Sequence, residues 1–324
     1  MVFVSKTDLR VLRLVLSLFL GFIALLSLSA CGSTDDGVSS NRYLMADTQP
    51  SALQNPKAAA DPASEPESPF AHWAAVIVSG DDHSSDGGHS EAFDNARRDL
   101  SLAFVRAGFE PSHIIGFSAS PEDGDPTAPY MSTVDGVKGA LQRLLGVAGE
   151  GCLIYVTSHG NTSGIKFGDK IASPADIAGL GDKTCGGRPT VMIMSACHSG
   201  VFIGPLSAPN RLVMSAARSD RSSFGCGTDN KYPFFDECML ESLPHAHDFV
   251  ALTGEVKSCV ARMETSGHFT PPSEPQLAIG STIGPMLQQD AFLSQAGTTV
   301  AASSSARAGT NCSARDESNC PKSH

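Results

Sequence analysis

Two stretches decide the fold: CLIYVTSHG at residues 152–160 and TVMIMSACHSG at residues 190–200. Each begins with a short, continuous apolar run, which is typical of a strand buried on both faces of a parallel sheet. Each run then ends in small and polar residues that include His159 in one case and Cys197 in the other. Ligands of open α/β sheets bind at the carboxyl ends of the strands, so a functional site is expected at these two strand ends.

Strands and helices alternate on both sides of these stretches. Apolar residues recur at helical spacing from Phe93 to Phe104, with Gly108 ending the helix, and again from Val134 to Leu144. This alternation predicts an α/β fold with a mostly parallel sheet. Four further strands are predicted, at residues 73–78, 113–117, 211–214 and 275–280.

A histidine and a cysteine delivered to one edge of a sheet suit nucleophilic catalysis. A cysteine attacks as its thiolate, and a neighbouring imidazole removes the thiol proton. Gly160 lets the backbone approach a substrate carbonyl, and its N–H together with that of Cys197 is suited to hold an oxyanion. Taken singly, a cysteine at a strand end is usually a packing residue and a loop histidine is usually solvated. The pair, each followed by a glycine, predicts a Cys197–His159 catalytic site.

The two strand ends resemble those of legumain-type cysteine peptidases of the caspase-like clan. Other stretches agree: His72-Trp73 before the first strand, AARSDRSSFGC at residues 216–226, and Pro275-Gln276 before the last strand. The stretch FDNARRD at residues 93–99 is similar to a bacterial lineage of that family. The resemblance covers about residues 72–284 and implies a caspase-like peptidase domain, an α/β three-layer sandwich with a mostly parallel sheet and helices on both faces.

The resemblance implies roles for individual residues. Cys197 is the implied nucleophile and His159 the implied general base. The resulting acyl-enzyme is hydrolysed by water or, in some relatives, transferred to an amine. The implied substrate is a protein or peptide, and the family's specificity pocket takes Asn and, less readily, Asp. The implied substrate-binding residues are Ser222 and Ser223, Asp236 as an acidic pocket wall, and Asp94 and Asn95 near the family's pocket Arg and His. Ser195 stands where the family usually has Glu, so the residue preference is open.

The first 30 residues predict a lipoprotein signal peptide. Basic residues precede an apolar run at residues 15–29, which is short for a membrane span of about 20 residues. The run ends in LSACG at residues 28–32, which resembles a bacterial lipobox and implies cleavage before a lipidated Cys31. An ordinary secretory signal is the alternative. Because residue 32 is Gly rather than Asp, the resemblance implies a lipid anchor in the outer membrane, facing the periplasm.

The remaining chain divides into three parts by composition. Residues 31–69 hold few large apolar side chains and predict a disordered tether. Residues 70–295 are expected to form the caspase-like peptidase domain, and residues 296–324 a disordered tail. An oxidising periplasm permits disulfides among the nine cysteines. Cys197 is expected to stay free, and the pairs Cys238–Cys259 and Cys185–Cys226 are predicted.

Composition and motifs narrow the function classes. The net charge is −11 and there is no basic stripe, which disfavours a nucleic-acid partner. There is no Cys-x-x-Cys and no Cys/His cluster at zinc spacing, so the sequence predicts no metal, no cofactor and no thiol redox activity. Two functions are left: a cysteine endopeptidase, or a catalytically inactive caspase-fold binding protein at the outer membrane. The intact His159 and Cys197 favour the endopeptidase.

Overall fold

The computed structural model describes residues 67–121 and 130–293. The strands are β1 (Trp73–Ser79), β2 (Ile114–Ser118), β3 (Tyr130–Met131), β4 (Gly151–Thr157), β5 (Gly160–Asn161), β6 (Gly164–Phe167), β7 (Lys170–Ala172), β8 (Thr190–Ser195), β9 (Arg211–Ser215) and β10 (Gln276–Ile279). The helices are α1 (Ala92–Ala107), α2 (Val134–Leu144), α3 (Pro174–Thr184), α4 (Ile203–Leu206), α5 (Phe234–Ser242), α6 (Phe249–Ser266) and α7 (Ile283–Leu287).

Seven strands form the central sheet, in the order β10-β9-β8-β4-β1-β2-β3. Six neighbouring strands run parallel to one another: β3, β2, β1, β4, β8 and β9. The last strand, β10, is antiparallel to β9. Strands β5, β6 and β7 form a separate small antiparallel sheet directly after β4. The parallel strands all end at the same edge, so the residues that follow β1, β4 and β8 meet there.

Helices cover both faces of the central sheet. Side chains of α1, α5, α6 and α7 pack with alternate sheet residues such as Leu153 and Ile193 in one apolar cluster. Side chains of α2, α3 and α4 pack with the intervening residues, such as Ile154 and Met192, in a second cluster. Because β1, β4, β8 and β9 are buried along their whole length, their sequences are continuous apolar runs. The predicted α/β sandwich is therefore confirmed.

The helix boundaries follow from local chemistry. Gly108 ends α1 in the left-handed region at φ 114°, where it donates to the carbonyls of the last turn. A capping box starts α3, in which Ser173 and Asp176 each bind the other's backbone N–H. The sequence analysis did not predict the small sheet or α3 to α7, although it placed α1 and α2 correctly.

One of the two predicted disulfides is present and the other is not. Cys238 pairs with Cys259, as predicted. Cys185 pairs with Cys152 and not with Cys226, because the end of α3 packs beside the start of β4. Cys197 and Cys226 are the free cysteines among the described residues.

Several predictions concern residues outside the described part of the chain. These are the signal peptide at residues 1–30, the lipidated Cys31, most of the tether at residues 31–69 and the tail at residues 296–324. Within residues 67–121 and 130–293, no helix is long and apolar enough to span a membrane.

Candidate active site

The register of β4 against β8 brings the segments that carry His159 and Cys197 to the same carboxyl edge of the sheet. Thr157 pairs with Ser195 at the end of the two strands. The ladder continues one residue further, where the Ser158 N–H donates to the Ser195 carbonyl at 3.0 Å. His159 follows Thr157 by two residues, and Cys197 follows Ser195 by two residues. Two neighbouring parallel strands thus end in the two predicted catalytic residues.

Cys197 is half-buried, and its thiol contacts Ser223 in the loop after β9. Its Sγ lies 3.3 Å from the backbone N of Ser223, which donates to it, and 3.5 Å from the Ser223 carbonyl oxygen. The Ser223 hydroxyl lies 3.6 Å away. A thiol that is partly exposed and free of a disulfide is accessible to a substrate carbonyl.

His159 is held by a backbone carbonyl and an aromatic ring. Its Nε2 lies 3.0 Å from the carbonyl oxygen of His83, in the loop after β1. A carbonyl oxygen only accepts hydrogen bonds, so Nε2 carries the proton in this contact and Nδ1 is left to act as the base. The Phe93 ring meets the imidazole edge-on, with centroids 5.0 Å apart. These two contacts fix the orientation of the imidazole.

Gly160 lies against the backbone of the cysteine segment. A Cβ built on it would be 2.6 Å from the Cys197 carbonyl oxygen and 2.9 Å from the Ala196 Cβ. Any larger residue would therefore push these two segments apart. The backbone N–H of Cys197 has no hydrogen-bond partner among the described residues, so it is open to an incoming oxygen.

The residues after Cys197 pack against the loop that carries Ser222 and Ser223. The His198 N–H donates to the Arg221 carbonyl at 2.8 Å, and the His198 ring contacts the Ser219 carbonyl at 3.0 Å. A Cβ on Gly200 would lie 2.4 Å from the Ser219 backbone N, so only glycine allows this approach. Ser222 itself is exposed, next to Ser223 at the nucleophile.

Asp236 lies in the first turn of α5 and is fully buried. Its carboxylate accepts hydrogen bonds from the Tyr155 hydroxyl at 2.6 Å and the Thr157 hydroxyl at 2.5 Å. Burial raises the pKa of Asp236 to about 6, although hydrogen bonds from Thr157, Tyr155 and Ser195 oppose the shift. Both carboxylate oxygens of Asp236, which the resemblance implied as the acidic wall of the pocket, are therefore engaged with hydroxyl groups at the end of β4.

Asp94 and Asn95, the other expected pocket residues, are engaged at the start of α1. Asp94 binds Arg97 through two bonds of 2.9 Å and Arg98 through one of 2.7 Å. The Asn95 amide donates to the Lys231 carbonyl at 3.3 Å. Neither residue contacts Cys197 or His159. Arg97 is completely buried, and its paired bonds to Asp94 compensate its charge there.

Three residues after β1 hold potential metal-ligating atoms close together: Asp81, Asp82 and His83. Lys166 already forms an ion pair with this cluster, because its ammonium lies 2.8 Å from the buried Asp81 carboxylate. The cluster therefore acts as an ion-pair network that anchors the loop whose carbonyl binds His159.

Sequence reasoning missed the groups that orient His159. His159 contacts the main-chain carbonyl of His83, and every residue type has such a carbonyl, so the contact cannot be predicted from the sequence. Phe93 was noted only as a core position of α1, and it is buried as expected, but one edge of its ring faces the imidazole.

The chain was compared with known families, curated proteins and solved structures. A model of the Peptidase C13 family matches residues 135–253, a span that contains His159, Cys197 and the loop with Ser222 and Ser223. No curated protein matches the chain. The structure is similar to 277 chains of solved structures, among them caspase-1 from Spodoptera frugiperda, with a TM-score of 0.48 and 14% sequence identity. That similarity covers 65% of this chain and 87% of the other.

Proposed function

We propose that this chain is a legumain-like cysteine endopeptidase that cleaves proteins or peptides through a Cys197–His159 dyad. The observation that carries the proposal is the placement of a free, partly exposed cysteine and an oriented histidine at adjacent strand ends. The family match over residues 135–253 supports the same reaction class.

In the proposed acylation step, the two side chains act as base and nucleophile. His159 Nδ1 takes the proton of the Cys197 thiol, and Sγ attacks the scissile carbonyl carbon. The negative charge on the carbonyl oxygen is met by the N–H groups of Cys197 and Gly160. The C–N bond then breaks, and the imidazolium gives its proton to the departing amine. A thioester is left on Cys197.

Deacylation reverses the roles with water as the nucleophile. His159 removes a proton from water as the resulting hydroxide attacks the thioester carbon, and the C–S bond breaks. The thiolate takes the proton back, which restores the dyad and releases a carboxylic acid. The His83 carbonyl fixes the tautomer throughout, because it accepts the Nε2 proton in the neutral and the charged imidazole alike.

We also propose that the peptidase is lipid-anchored through Cys31 in a bacterial outer membrane and faces the periplasm. The lipobox-like sequence at residues 28–32 supports this placement. Two disulfides in the described domain fit an oxidising compartment.

The test combines cleavage with labelling of the nucleophile. The wild-type chain is incubated with a diverse peptide library, and an electrophilic peptide ketone is used to label active cysteine, followed by mass spectrometry. We expect cleavage and labelling at Cys197. Cys197→Ala should abolish both, and His159→Ala should lower the rate by about 10²–10⁴-fold, the usual contribution of a positioned general base.

Two variants serve as matched controls. Cys226→Ser removes the other free cysteine of the described residues, and His245→Ala removes an exposed histidine in the turn after α5. Both should cleave and label like wild type. A folded wild-type chain that cleaves no peptide and takes no label at Cys197 would contradict the proposal and favour the inactive binding protein.

A further inference from the structure

An ion pair between Asp81 and Lys166 connects the loop after β1 with the small sheet. We call residues 80–91, which lie between β1 and α1, the β1 loop. The Lys166 ammonium on β6 lies 2.8 Å from the Asp81 carboxylate, and the side chains of Lys166 and Asp81 are 32% and 3% exposed. Because one partner is buried, water and salt screen this pair less than an exposed pair. The contact therefore holds the β1 loop against β6.

The same carboxylate organises the next two residues of the β1 loop. Asp81 Oδ1 accepts the Asp82 backbone N–H at 2.9 Å and lies 3.2 Å from His83 Nδ1. His83 Nδ1 also lies 2.7 Å from an Asp82 carboxylate oxygen. Since ionised carboxylates only accept hydrogen bonds, Nδ1 is the protonated nitrogen of His83 in these contacts. His83 is therefore held through its side chain, while its main-chain carbonyl binds Nε2 of His159.

Lys166 also contacts the main chain of His159. The Lys166 backbone N–H donates to the His159 carbonyl oxygen at 2.9 Å. One residue thus binds the backbone of the proposed base and, through its ammonium, the loop that binds the imidazole. The contacts form a closed cycle of four residues: Lys166, Asp81, His83 and His159. In a closed cycle no member can move without lengthening a contact, so the position of the imidazole depends on the ion pair.

Backbone contacts at Gly80 hold the start of the β1 loop independently of the ion pair. The Gly80 N–H donates to the Thr157 carbonyl at 2.9 Å, and the Gly168 N–H donates to the Gly80 carbonyl at 2.8 Å. A Cβ on Gly80 would lie 2.1 Å from the Lys166 carbonyl oxygen, so the two main chains touch there. Loss of the Lys166 ammonium should therefore leave the domain folded and loosen the segment beyond Gly80, which includes His83.

We propose that Lys166 and Asp81 are positioning residues for the catalytic base. Their ion pair fixes the His83 carbonyl where it accepts the Nε2 proton of His159, and this keeps Nδ1 of His159 free to act as the base. The inference rests on the proposed peptidase function, in which that nitrogen takes the thiol proton. The pair acts through His83 and not on the reacting atoms.

The first measurement reads the tautomer of His159 without any cleavage. The full-length Cys197→Ala chain is isotopically labelled at its histidine nitrogens, and their chemical shifts are recorded at about pH 8, where ordinary imidazoles are neutral. The signals lost on adding His159→Gln are those of His159. We expect Nε2 to carry the proton, and Lys166→Arg to keep it there. Lys166→Met should move part of the population to the Nδ1-protonated tautomer. Asp81→Asn, which removes the charge but keeps the size, should shift it in the same direction.

The second measurement compares kcat with KM for a cleaved peptide in chains that retain Cys197. Lys166→Met should lower kcat by about 10–100-fold, because a displacement of about 1 Å can cost about 10²-fold. KM should stay within about twofold of wild type, since the lost interaction serves the reaction and not substrate binding. Lys166→Arg should restore most of kcat. The control is Lys170→Met on β7, the strand paired with β6, where the side chain is exposed. It should change neither kcat nor the tautomer.

The proposal is overturned if neither Lys166→Met nor Asp81→Asn changes the tautomer of His159. It is also overturned if the tautomer changes while kcat of a cleaving chain stays at the wild-type value. The two proposals fail separately. A chain that cleaves no peptide and still shows the expected tautomer shift contradicts only the peptidase assignment, whereas a cleaving chain with full activity in Lys166→Met contradicts only the positioning role.

Discussion

The Asp236 carboxylate accepts a hydrogen bond from the Thr157 hydroxyl at 2.5 Å, across 79 residues of sequence. Thr157 is the last residue of β4, and His159 follows two residues later. The other carboxylate oxygen binds the Tyr155 hydroxyl of the same strand. A buried acid on α5 therefore holds the end of the strand that presents the proposed catalytic base. The stability of the domain should therefore depend on whether Asp236 is protonated.

Asp236→Asn should change how stability depends on pH. The pKa of Asp236 is about 6 in the folded chain, against about 3.9 for an unfolded Asp. The folded state therefore binds the proton more tightly, and the stabilisation present below pH 4 is lost as the pH rises through 6. The difference corresponds to about 3 kcal/mol. Urea unfolding between pH 4 and pH 7 should show this decrease in wild type and lack it in Asp236→Asn.

Glu237→Gln is the matched control for this measurement, because Glu237 lies in the same helical turn and is exposed. Its stability should follow the wild-type pH dependence. If the Asp236→Asn and wild-type curves run parallel between pH 4 and pH 7, Asp236 does not titrate as proposed.

The buried strands of this fold could be predicted from the sequence, because each is a continuous apolar run. The apolar runs that became β4 and β8 are long enough to identify buried strands, and parallel pairing then places His159 and Cys197 at one edge. Strands of two to four residues, such as Gly160–Asn161, carry no such pattern. The burial of Arg97 depends on its bonds to Asp94, and the pattern of α1 alone does not reveal it.

Long-range contacts account for the remaining differences at the site. The burial of Asp236 is set by hydroxyls on β4, which is distant in sequence. The partner of Cys185 is decided by the packing of α3 against β4, and cysteine spacing does not contain that information. The contact of His159 with the His83 carbonyl involves no side chain of His83 at all.

Removing the disulfide between Cys152 and Cys185 should destabilise the domain strongly. The bond closes a loop with a sequence separation of 33 residues, for which the chain-entropy relation gives about 3–4 kcal/mol. The Cys152→Ala/Cys185→Ala double variant should therefore unfold at a lower urea concentration. Cys226→Ser should change the midpoint little, because Cys226 is free. A peptide map that links Cys185 to Cys226 would refute this pairing.

Cys31→Ser should block maturation of the precursor. If Cys31 carries the lipid, the variant lacks the acceptor sulfur, so it should accumulate as an uncleaved chain without lipid. Metabolic labelling with a radioactive fatty acid and fractionation of the cell envelope measure both effects. Ser29→Thr, a small change before the cleavage point, should be processed normally. Wild-type protein found mature and lipid-free in the periplasmic extract would rule out the anchor.

Gly160→Ala should impair catalysis more than folding. The new Cβ would come within 2.6 Å of the Cys197 carbonyl oxygen, so the segment that carries the nucleophile must shift. Displacement of a reacting group by about 1 Å can reduce the rate by about 10²-fold, and we expect a loss of that order in kcat/KM for a cleaved peptide. Gly179→Ala on α3 is the matched control, because nothing lies within 4 Å of its new Cβ. It should keep full activity and gain about 0.5–1 kcal/mol of stability from the better helix former.

Alkylation of Cys197 by iodoacetamide, measured in a Cys226→Ser background, reports the reactivity of the nucleophile without the oxyanion step. Near-normal alkylation with a large loss of cleavage would support the oxyanion role of Gly160, whereas unchanged cleavage in Gly160→Ala would show that this backbone position does not act in the reaction.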